Sequence, residues 1–411
     1  MKVLYCTPGL AINSDAPWAT RQRAGGMLAA GLEVVLMVSR PEERRYFEDM
    51  GCEIVVDELS ADSSGNQRGL PNLWEFIVRP ARIQWRAFAL ARKIGADILF
   101  FSHPEPWTLL PIVWLRNRKR QRPAVSMFTT TVYRHLGKTS QYSFKTRARG
   151  WLNHLAVWFL CPLINVIFDN AHVPQFFRRR AGEKCTVLLD GYHDVAPPPE
   201  ARAQSRQRLG IPPSSRMLLS FGVASWLKGQ DLLLEALRGL EPTFDLYMVG
   251  LVGGIYGDPR TGARDLLEGP WKDHLHFVPR HVSDAEMSDF FTATDAVILP
   301  YRWGFVSTSG NFRLALEFRR AVIATDQFFI GEMVRTRELG LLSPPGDVAA
   351  LRQQLVEFGK KPQAWFDQVA EHERQLTDEQ SWAVSGRNYR LLFERLLSEV
   401  GGSKAGRATP G

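Results

Sequence analysis

Two loops in the second half of this 411-residue chain carry the residue types that hold phosphate. The first, Gly222-Val-Ala-Ser-Trp-Leu-Lys228-Gly229, follows the apolar run Met217–Phe221 and precedes a helical pattern. A lysine just before a helix, at the carboxyl end of a strand, can reach a diphosphate as a point charge. The same lysine also fits a solvated surface, and spacing alone does not choose. The second loop runs from Pro300 to Asn311 after the apolar run Ala296–Leu299, and it contains Arg302, Ser309 and Gly310. Small residues let backbone approach a ligand, and a helix beginning near Asn311 offers unbonded N–H groups to an anion. An ordinary strand–loop–helix turn with Ser309 as N-cap accounts for the same residues.

The first half offers His103, at the end of the run Ile98–Phe101, as a candidate polar group at a strand end, although a surface or packed histidine fits as well. Arg21 and Arg23 follow the first loop and could reach phosphate, although a solvated helix start explains them as well. Arg134 and His135 follow the run Val125–Phe128 and are further candidates near a strand end. Several common signatures are missing: GxGxxG after either first strand, Walker A, HExxH and GxSxG. Gly250-Leu-Val-Gly253-Gly254 follows a strand with the wrong spacing for a dinucleotide. Cys6, Cys52, Cys161 and Cys185 form no CxxC pair, so a zinc ribbon is not expected. Their apolar contexts suit reduced thiols.

These groups need elements to position them, and the sequence supplies two sets. Val3–Cys6, a loop over Pro8–Pro17, a helix over Arg21–Ala30 and the run Val34–Val38 have the order and length of a βαβ unit. Nearly continuous apolar runs follow at Ile54–Val56, Ile98–Phe101, Val125–Phe128, Asn165–Phe168 and Val187–Leu189. Such runs suit strands buried on both faces of a parallel sheet. Prolines at 197–199 and 212–213 bracket a polar stretch, read here as a domain boundary. The pattern then restarts with strands at Met217–Phe221, Leu246–Val249, Leu275–Val278, Ala296–Leu299 and Val322–Thr325. Helices are expected over Gln230–Leu240, Asp284–Phe291 and Asn311–Arg319, the second opened by a Ser283/Glu286 capping box. A last amphipathic helix puts Trp382, Tyr389, Leu392, Leu396 and Leu397 on one face. The expected organisation is two α/β Rossmann-like domains over 1–195 and 205–376, a helix over 377–400 and a flexible tail over 401–411. Ligands bind beyond the carboxyl ends of strands in open α/β sheets, so a cleft between two such domains is the default site.

Charge is lopsided. The chain carries 51 Lys and Arg against 43 Asp and Glu, but residues 1–190 alone carry 26 against 16. Arg116–Arg122 packs five charges into seven residues, Arg178-Arg179-Arg180 adds three, and Trp107, Trp114, Trp151 and Trp158 lie nearby. A basic face bearing tryptophan could meet an anionic membrane. A solvated charge run is the competing reading, and no nucleic-acid reader motif supports that partner. No run reaches the roughly 18–20 apolar residues of a membrane helix, which argues against a transporter or channel. Leu155–Phe168 comes nearest, and Pro162 and Asn165 within it point instead to a buried helix leading into a strand. With no signal-peptide pattern, the expected location is cytoplasmic, with possible attachment to the inner face of the membrane.

In this order, the second-half motifs resemble those of the retaining glycosyltransferases of family 4 (glycosyl transferases group 1), whose two-Rossmann architecture is called GT-B. The similar strings are Phe221-Gly222 to Lys228-Gly229, Asp231 to Leu237, Leu246 to Gly250, His276 to Ser283, Ala293 to Pro300, Ser309-Gly310, Ala321 to Asp326, Gly331 to Val334 and Gly340 to Asp347. In the first half Met1–Gly9, Asp97 to His103 and Leu189 to Asp194 are similar more loosely. The chain departs from the family at named positions. The two glutamates of the Glu-x7-Glu motif fall on Val306 and Leu314, and Glu317 stands three residues beyond. The arginine that pairs with the lysine falls on Val223, a glycine falls on Arg280, and a Gly-Gly pair falls on Phe328-Phe329.

The resemblance implies two domains facing a cleft, with the terminal helix crossing back to the first. It implies transfer of a sugar from a nucleotide sugar, with retention, to a glycan or lipid-linked acceptor. Gly222, Lys228, His281, Val282, Arg302, Ser309, Gly310, Asn311 and Glu317 are the expected donor-binding residues. Lys228 and His103 are the expected catalytic ones, and Arg21, Arg23, Arg134 and His135 lie on the acceptor side. The donor is a co-substrate, and neither metal nor cofactor is expected. Because both motif glutamates are replaced, a binding or scaffold protein that has lost catalysis is the alternative. Another GT-B enzyme, such as an epimerase or a phosphorylase, is a weaker third.

Overall fold

The computed structural model describes residues 1–7, 16–38, 41–57, 77–116, 123–129, 144–177, 185–193, 195, 197–250 and 262–405. Its contacts divide the chain into two compact units, Met1–Gly191 with Gln380–Gly411, and Tyr192–Glu379.

The first unit is built on seven parallel strands: β1 Lys2–Cys6, β2 Glu33–Val38, β3 Glu53–Val56, β4 Ile98–Ser102, β5 Ala124–Thr129, β6 Asn165–Phe168 and β7 Cys185–Val187. They lie in the order β3-β2-β1-β4-β5-β6-β7. The middle strands are buried along their length, which is why they read as unbroken apolar runs. Helices α1 Ala16–Ala29, α2 Arg79–Lys93, α3 Pro106–Arg116 and α4 Phe144–Leu160 make the crossovers. Helix α1 begins before the expected Arg21, because Pro17 falls in its first turn, where a missing N–H costs nothing. Helix α4 stops two residues before Pro162, and β6 begins at Asn165, so the Leu155–Phe168 stretch is helix, turn and buried strand.

The C-terminal helix Trp382–Ala405 belongs to this first unit. Tyr389, Leu392, Phe393 and Leu396 join the core formed by β1, β2 and α1. It meets α1 at glycines: a methyl group on Gly386 would come within 1.9 Å of the Gly26 carbonyl oxygen. Only hydrogen at both positions lets the two backbones approach so closely.

The second unit opens with α5 Pro199–Leu209, so the polar stretch expected as a boundary is helical. It is tied down by charge: Arg202 and Arg206 bind Asp295, and Arg208 binds Asp289. Six parallel strands follow: β8 Met217–Phe221, β9 Asp245–Val249, β10 Leu275–Val278, β11 Ala296–Leu299, β12 Ala321–Thr325 and β13 Gly340–Ser343. Their order is β10-β9-β8-β11-β12-β13. Helices α6 Gln230–Leu237, α7 Arg264–Leu267, α8 Asp284–Ala293, α9 Gly310–Glu317, α10 Phe328–Arg337, α11 Val348–Lys360 and α12 Gln363–Glu379 complete it. The expected capping box is present at α8, with Ser283 and Glu286 bonding reciprocally. Helix α6 ends three residues short of the expected Leu240, because Arg238 turns extended and Gly239 takes φ +77°. Helix α9 ends two residues early, with Arg319 left-handed at φ +56°. Strand β7 sits two residues before the expected run, and β13 was not anticipated as a strand.

Each sheet reverses its direction of winding once, between β1 and β4 in the first unit and between β8 and β11 in the second. Such reversals open a crevice beyond the carboxyl ends of the two strands. The residues singled out for chemistry lie there: His103 follows β4, Gly222 follows β8, and Pro300 follows β11.

Candidate functional site

In the second unit the chain leaves β8 through Gly222, at φ +96°, and enters a short 3-10 turn over Trp226–Lys228. Gly229, at φ +65°, then starts α6. A methyl group on Gly222 would stand 3.0 Å from Lys228 Nζ and 3.5 Å from Asn311 Nδ2. Thus the ammonium and the amide come close to the Gly222 backbone, an approach that a side chain at residue 222 would obstruct. Asn311 donates from Nδ2 to the Phe221 carbonyl at 2.6 Å, which fixes the first turn of α9 against the end of β8. Gly250, at the end of β9, closes the same corner: a methyl group there would meet the Gly222 carbonyl oxygen at 2.4 Å.

Ser309 caps α9, its hydroxyl accepting from the Phe312 N–H, and holds a left-handed φ of +62°. Non-glycine residues adopt that conformation at a cost, and such costs gather at functional sites. The buried Tyr301 hydroxyl lies 2.9 Å from Ser309 Oγ and holds the cap in place. Burial pushes that phenol up to about 12, so it stays protonated. Gln327 supports the loop from beneath, donating to the carbonyls of Tyr301 and Arg302 and accepting from the Gly304 N–H. Neither Tyr301 nor Gln327 was singled out from sequence. Each is an uncharged residue whose role depends on partners brought in by folding.

The remaining expected donor residues divide. Lys228, Asn311, Ser309, Gly310 and Gly222 come together as described. Val282 is buried and His281 is exposed, both before α8. Arg302 grips the first loop: its guanidinium forms a two-pronged pair with Asp231 and donates to the Trp226 carbonyl. Its visible work is to hold the two phosphate-type loops together. Glu317 is a correction. It is buried, accepts from Arg313 at 2.9 Å and takes the His193 backbone N–H at 3.1 Å. Burial pushes its carboxyl upward against the opposing pull of Arg313. Both oxygens are thus engaged inside the protein, and a ribose-binding role does not fit. Val306, at one motif-glutamate position, is buried, and Leu314, at the other, is half-buried.

In the first unit, His103 takes a left-handed φ of +50° just after β4. Its N–H donates to the Phe128 carbonyl, and its ring stands edge-on to the Phe128 ring. The ring keeps part of its surface open, yet packed protein crowds it. That crowding, and then Arg23, push its pKa down to about 3, so it is neutral at physiological pH.

Arg23 is fully enclosed. It donates to both oxygens of Asp190, to Tyr5 Oη at 2.9 Å and to Ser102 Oγ at 3.1 Å, with its guanidinium 3.9 Å over the Phe128 ring. Burial opposes its charge, but Asp190, Tyr5 and Tyr389 outweigh that and hold it protonated. Reaching a substrate phosphate is therefore not its task; it orders the floor beneath His103. Arg21 is turned elsewhere, paired with Asp49 at 2.5 and 2.6 Å. Residues two apart on a helix are rotated by roughly 200°, so these two arginines cannot share a face. Arg134 and His135 lie outside the described residues, as do residues 117–122 and 178–180. No cluster of His, Cys, Asp or Glu able to hold a metal occurs among the described residues, and no described helix is long and apolar enough to cross a membrane.

Residues 215–360 match the family model described as glycosyl transferases group 1. This stretch holds both phosphate-type loops. A curated relative, D-inositol 3-phosphate glycosyltransferase of Arthrobacter sp. (strain FB24), is 32% identical over 120 residues. That match takes in 26% of this chain and spans 28% of the relative. Among solved structures, sucrose-phosphate synthase from Thermosynechococcus elongatus superposes with a TM-score of 0.72 at 16% identity, covering 97% of this chain and 100% of that one. Anabaena Alr3699/HepE, solved in complex with UDP, gives 0.69 at 15% identity over 96% and 100%. The fold is thereby the two-unit α/β arrangement expected from the resemblance, GT-B.

Proposed function

We propose that this chain is a glycosyltransferase that moves a sugar from a nucleotide-sugar donor to a glycan or lipid-linked acceptor, with retention and without a metal. The observation that carries the reading is the convergence of Lys228 and Asn311 on the Gly222 backbone, at the strand reversal beside the N-terminus of α9. Breaking the bond from sugar to diphosphate leaves negative charge on the departing oxygen. Groups fixed in place before the reaction stabilise such charge without reorganising. Lys228 supplies a full charge, and the first turn of α9 supplies oriented N–H donors. His281 and Val282 line the donor from the β10 side. No carboxylate nucleophile is required if the leaving oxygen itself takes the acceptor proton. His103, neutral, hydrogen-bonds the acceptor, and the basic run Arg116–Arg122 favours an acceptor held at an anionic surface.

Transfer of radiolabelled sugar from a panel of nucleotide sugars to membrane extracts tests the activity. Lys228→Ala is expected to weaken diphosphate binding roughly tenfold to a hundredfold, the worth of a hydrogen bond to a charged group. Undiminished binding and transfer in that variant would remove Lys228 from the site.

A second reading is favoured by Val306, Leu314 and Val223, which put apolar side chains where carboxylates and an arginine would stand. In it the chain binds a nucleotide sugar as a scaffold partner. Calorimetry with UDP, GDP and their sugars separates the two: binding with no turnover supports the scaffold, and no binding at millimolar concentration overturns both.

A further inference from the structure

One helical layer of the first unit has an outer surface unlike any other among the described residues. Helices α2, α3 and α4 pack side by side in that order. Successive residues of a helix turn by about 100°, so Phe144, Trp151, Leu152, Leu155 and Phe159 of α4 fall within one face about 100° wide. All five are exposed, Phe144 to 78% and Leu152 to 54%. The opposite face of α4 is apolar too, with Ala156, Val157 and Leu160 buried. A helix that is apolar on both faces normally has both covered. On neighbouring α3, Trp114 is also exposed. In the second unit, by contrast, the exposed large apolar side chains among the described residues are Val195, Val223 and Trp303, which form no such stripe.

Charge identifies what covers this face. Between Glu105 and Asp169 the chain carries ten Lys and Arg and no acidic residue. That stretch contains the whole of α3 and α4. Arg147 and Arg149 lie on the flanks of the α4 stripe by helical register, and Arg116 ends α3. Arg149 is paired with Glu105, and Asn153 donates to the same carboxylate, so one acid stands at the edge of the layer. An apolar strip rich in aromatics, flanked mainly by cations, is the pattern of a surface that lies in the headgroup region of an anionic bilayer. A protein partner or a second copy would not call for so strong an excess of basic residues.

We infer that the outer face of α3 and α4 docks on anionic lipid bilayers, with the side chains of the α4 stripe entering the headgroup–acyl boundary while the helix stays packed on its sheet. This extends the transfer reading without resting on it, because vesicle binding and nucleotide binding are measured separately.

The test is co-sedimentation of the full chain with vesicles of phosphatidylcholine, alone or mixed with phosphatidylglycerol. Binding is expected to the mixed vesicles, to fall as salt is raised, and to be weak on phosphatidylcholine alone. Leu152→Gln and Leu155→Gln are each expected to weaken partitioning about tenfold, as loss of one buried large apolar side chain would. Leu391→Gln is the control: that leucine is 64% exposed but lies on the C-terminal helix, away from this layer. Unchanged thermal melting in all three variants shows that the fold is intact. The inference is overturned if mixed vesicles bind no better than neutral ones, or if Leu391→Gln weakens binding as much as Leu155→Gln. It is also overturned if light scattering shows a dimer that Leu152→Gln dissociates, since the face would then be covered by a second copy.

Discussion

The carboxyl ends of the two sheets have the same topology and opposite electrostatics. In the second unit a cation and an amide gather at the Gly222 backbone. In the first unit the cation at the equivalent place, Arg23, is sealed under Tyr5, Ser102, Asp190 and Phe128, and a neutral histidine sits above it. The first unit's cation is used up in building a rigid floor. A basic residue near a strand end is thus no sign of a phosphate site by itself, because packing can give it a structural task.

Substitution of each cation should separate the two ends most sharply. Arg23→Ala leaves Asp190 without its partner and empties a buried space. Removing one member of a buried pair costs about 3–5 kcal/mol, and Asp190 retains some solvent contact, so about 3 kcal/mol is expected. Chemical denaturation measures this. Lys228→Ala should change stability by less than about 0.5 kcal/mol, as half-exposed side chains usually do, while diphosphate affinity falls. If Lys228→Ala destabilises as much as Arg23→Ala, the contrast between the ends collapses.

A smaller effect probes the cap at the second unit's end. Ser309→Ala removes the hydroxyl that accepts from Phe312 and contacts Tyr301, and it keeps a Cβ at φ +62°. A loss of about 1 kcal/mol is expected, typical of an N-cap. Ser309→Gly loses the same hydroxyl but relieves the left-handed conformation, so it should be the milder change. Thermal melting of the two variants ranks them. The reverse ranking would mean that the Ser309 backbone is not strained.

Much of the frame was legible because buried parallel strands write themselves as apolar runs. Eleven of the strands, among them Ile98–Ser102 and Ala296–Leu299, lie within a residue of the expected runs. Strand β13 escaped because Gly340 opens it and only four residues form it. Gly222, Lys228 and Ser309 stood out in the sequence because residue type alone restricts the conformation or the chemistry there, and folding brings their two loops together. It was misread at Arg21 and Glu317, because a charged residue's partner, Asp49 in one case and Arg313 in the other, is set by packing that spacing does not encode. Tyr301 and Gln327 were invisible for the same reason. The Gly26–Gly386 approach joins residues 360 positions apart, and no local pattern announces it.

The last expected effect concerns pH and the first unit's end. The His103 pKa is pushed down to about 3 by its packed surroundings and by Arg23, against 6.5 in an unfolded chain. As pH falls through 6.5 the unfolded chain takes up a proton that the folded chain refuses. The folded state is therefore favoured by this histidine above pH 6.5 and loses that contribution progressively between 6.5 and about 3. His193 and His276 of the second unit are also pushed down, by burial first, and act with the same sign. His103→Gln keeps a hydrogen-bonding side chain but cannot titrate. Its stability should thus fall less between pH 7 and pH 5 than that of the unchanged chain, in a window where the depressed carboxylates stay ionised. If His103→Gln leaves the slope unaltered, the histidine is open enough to be protonated in the folded protein, and the neutral acceptor-side group would have to be replaced by a charged one.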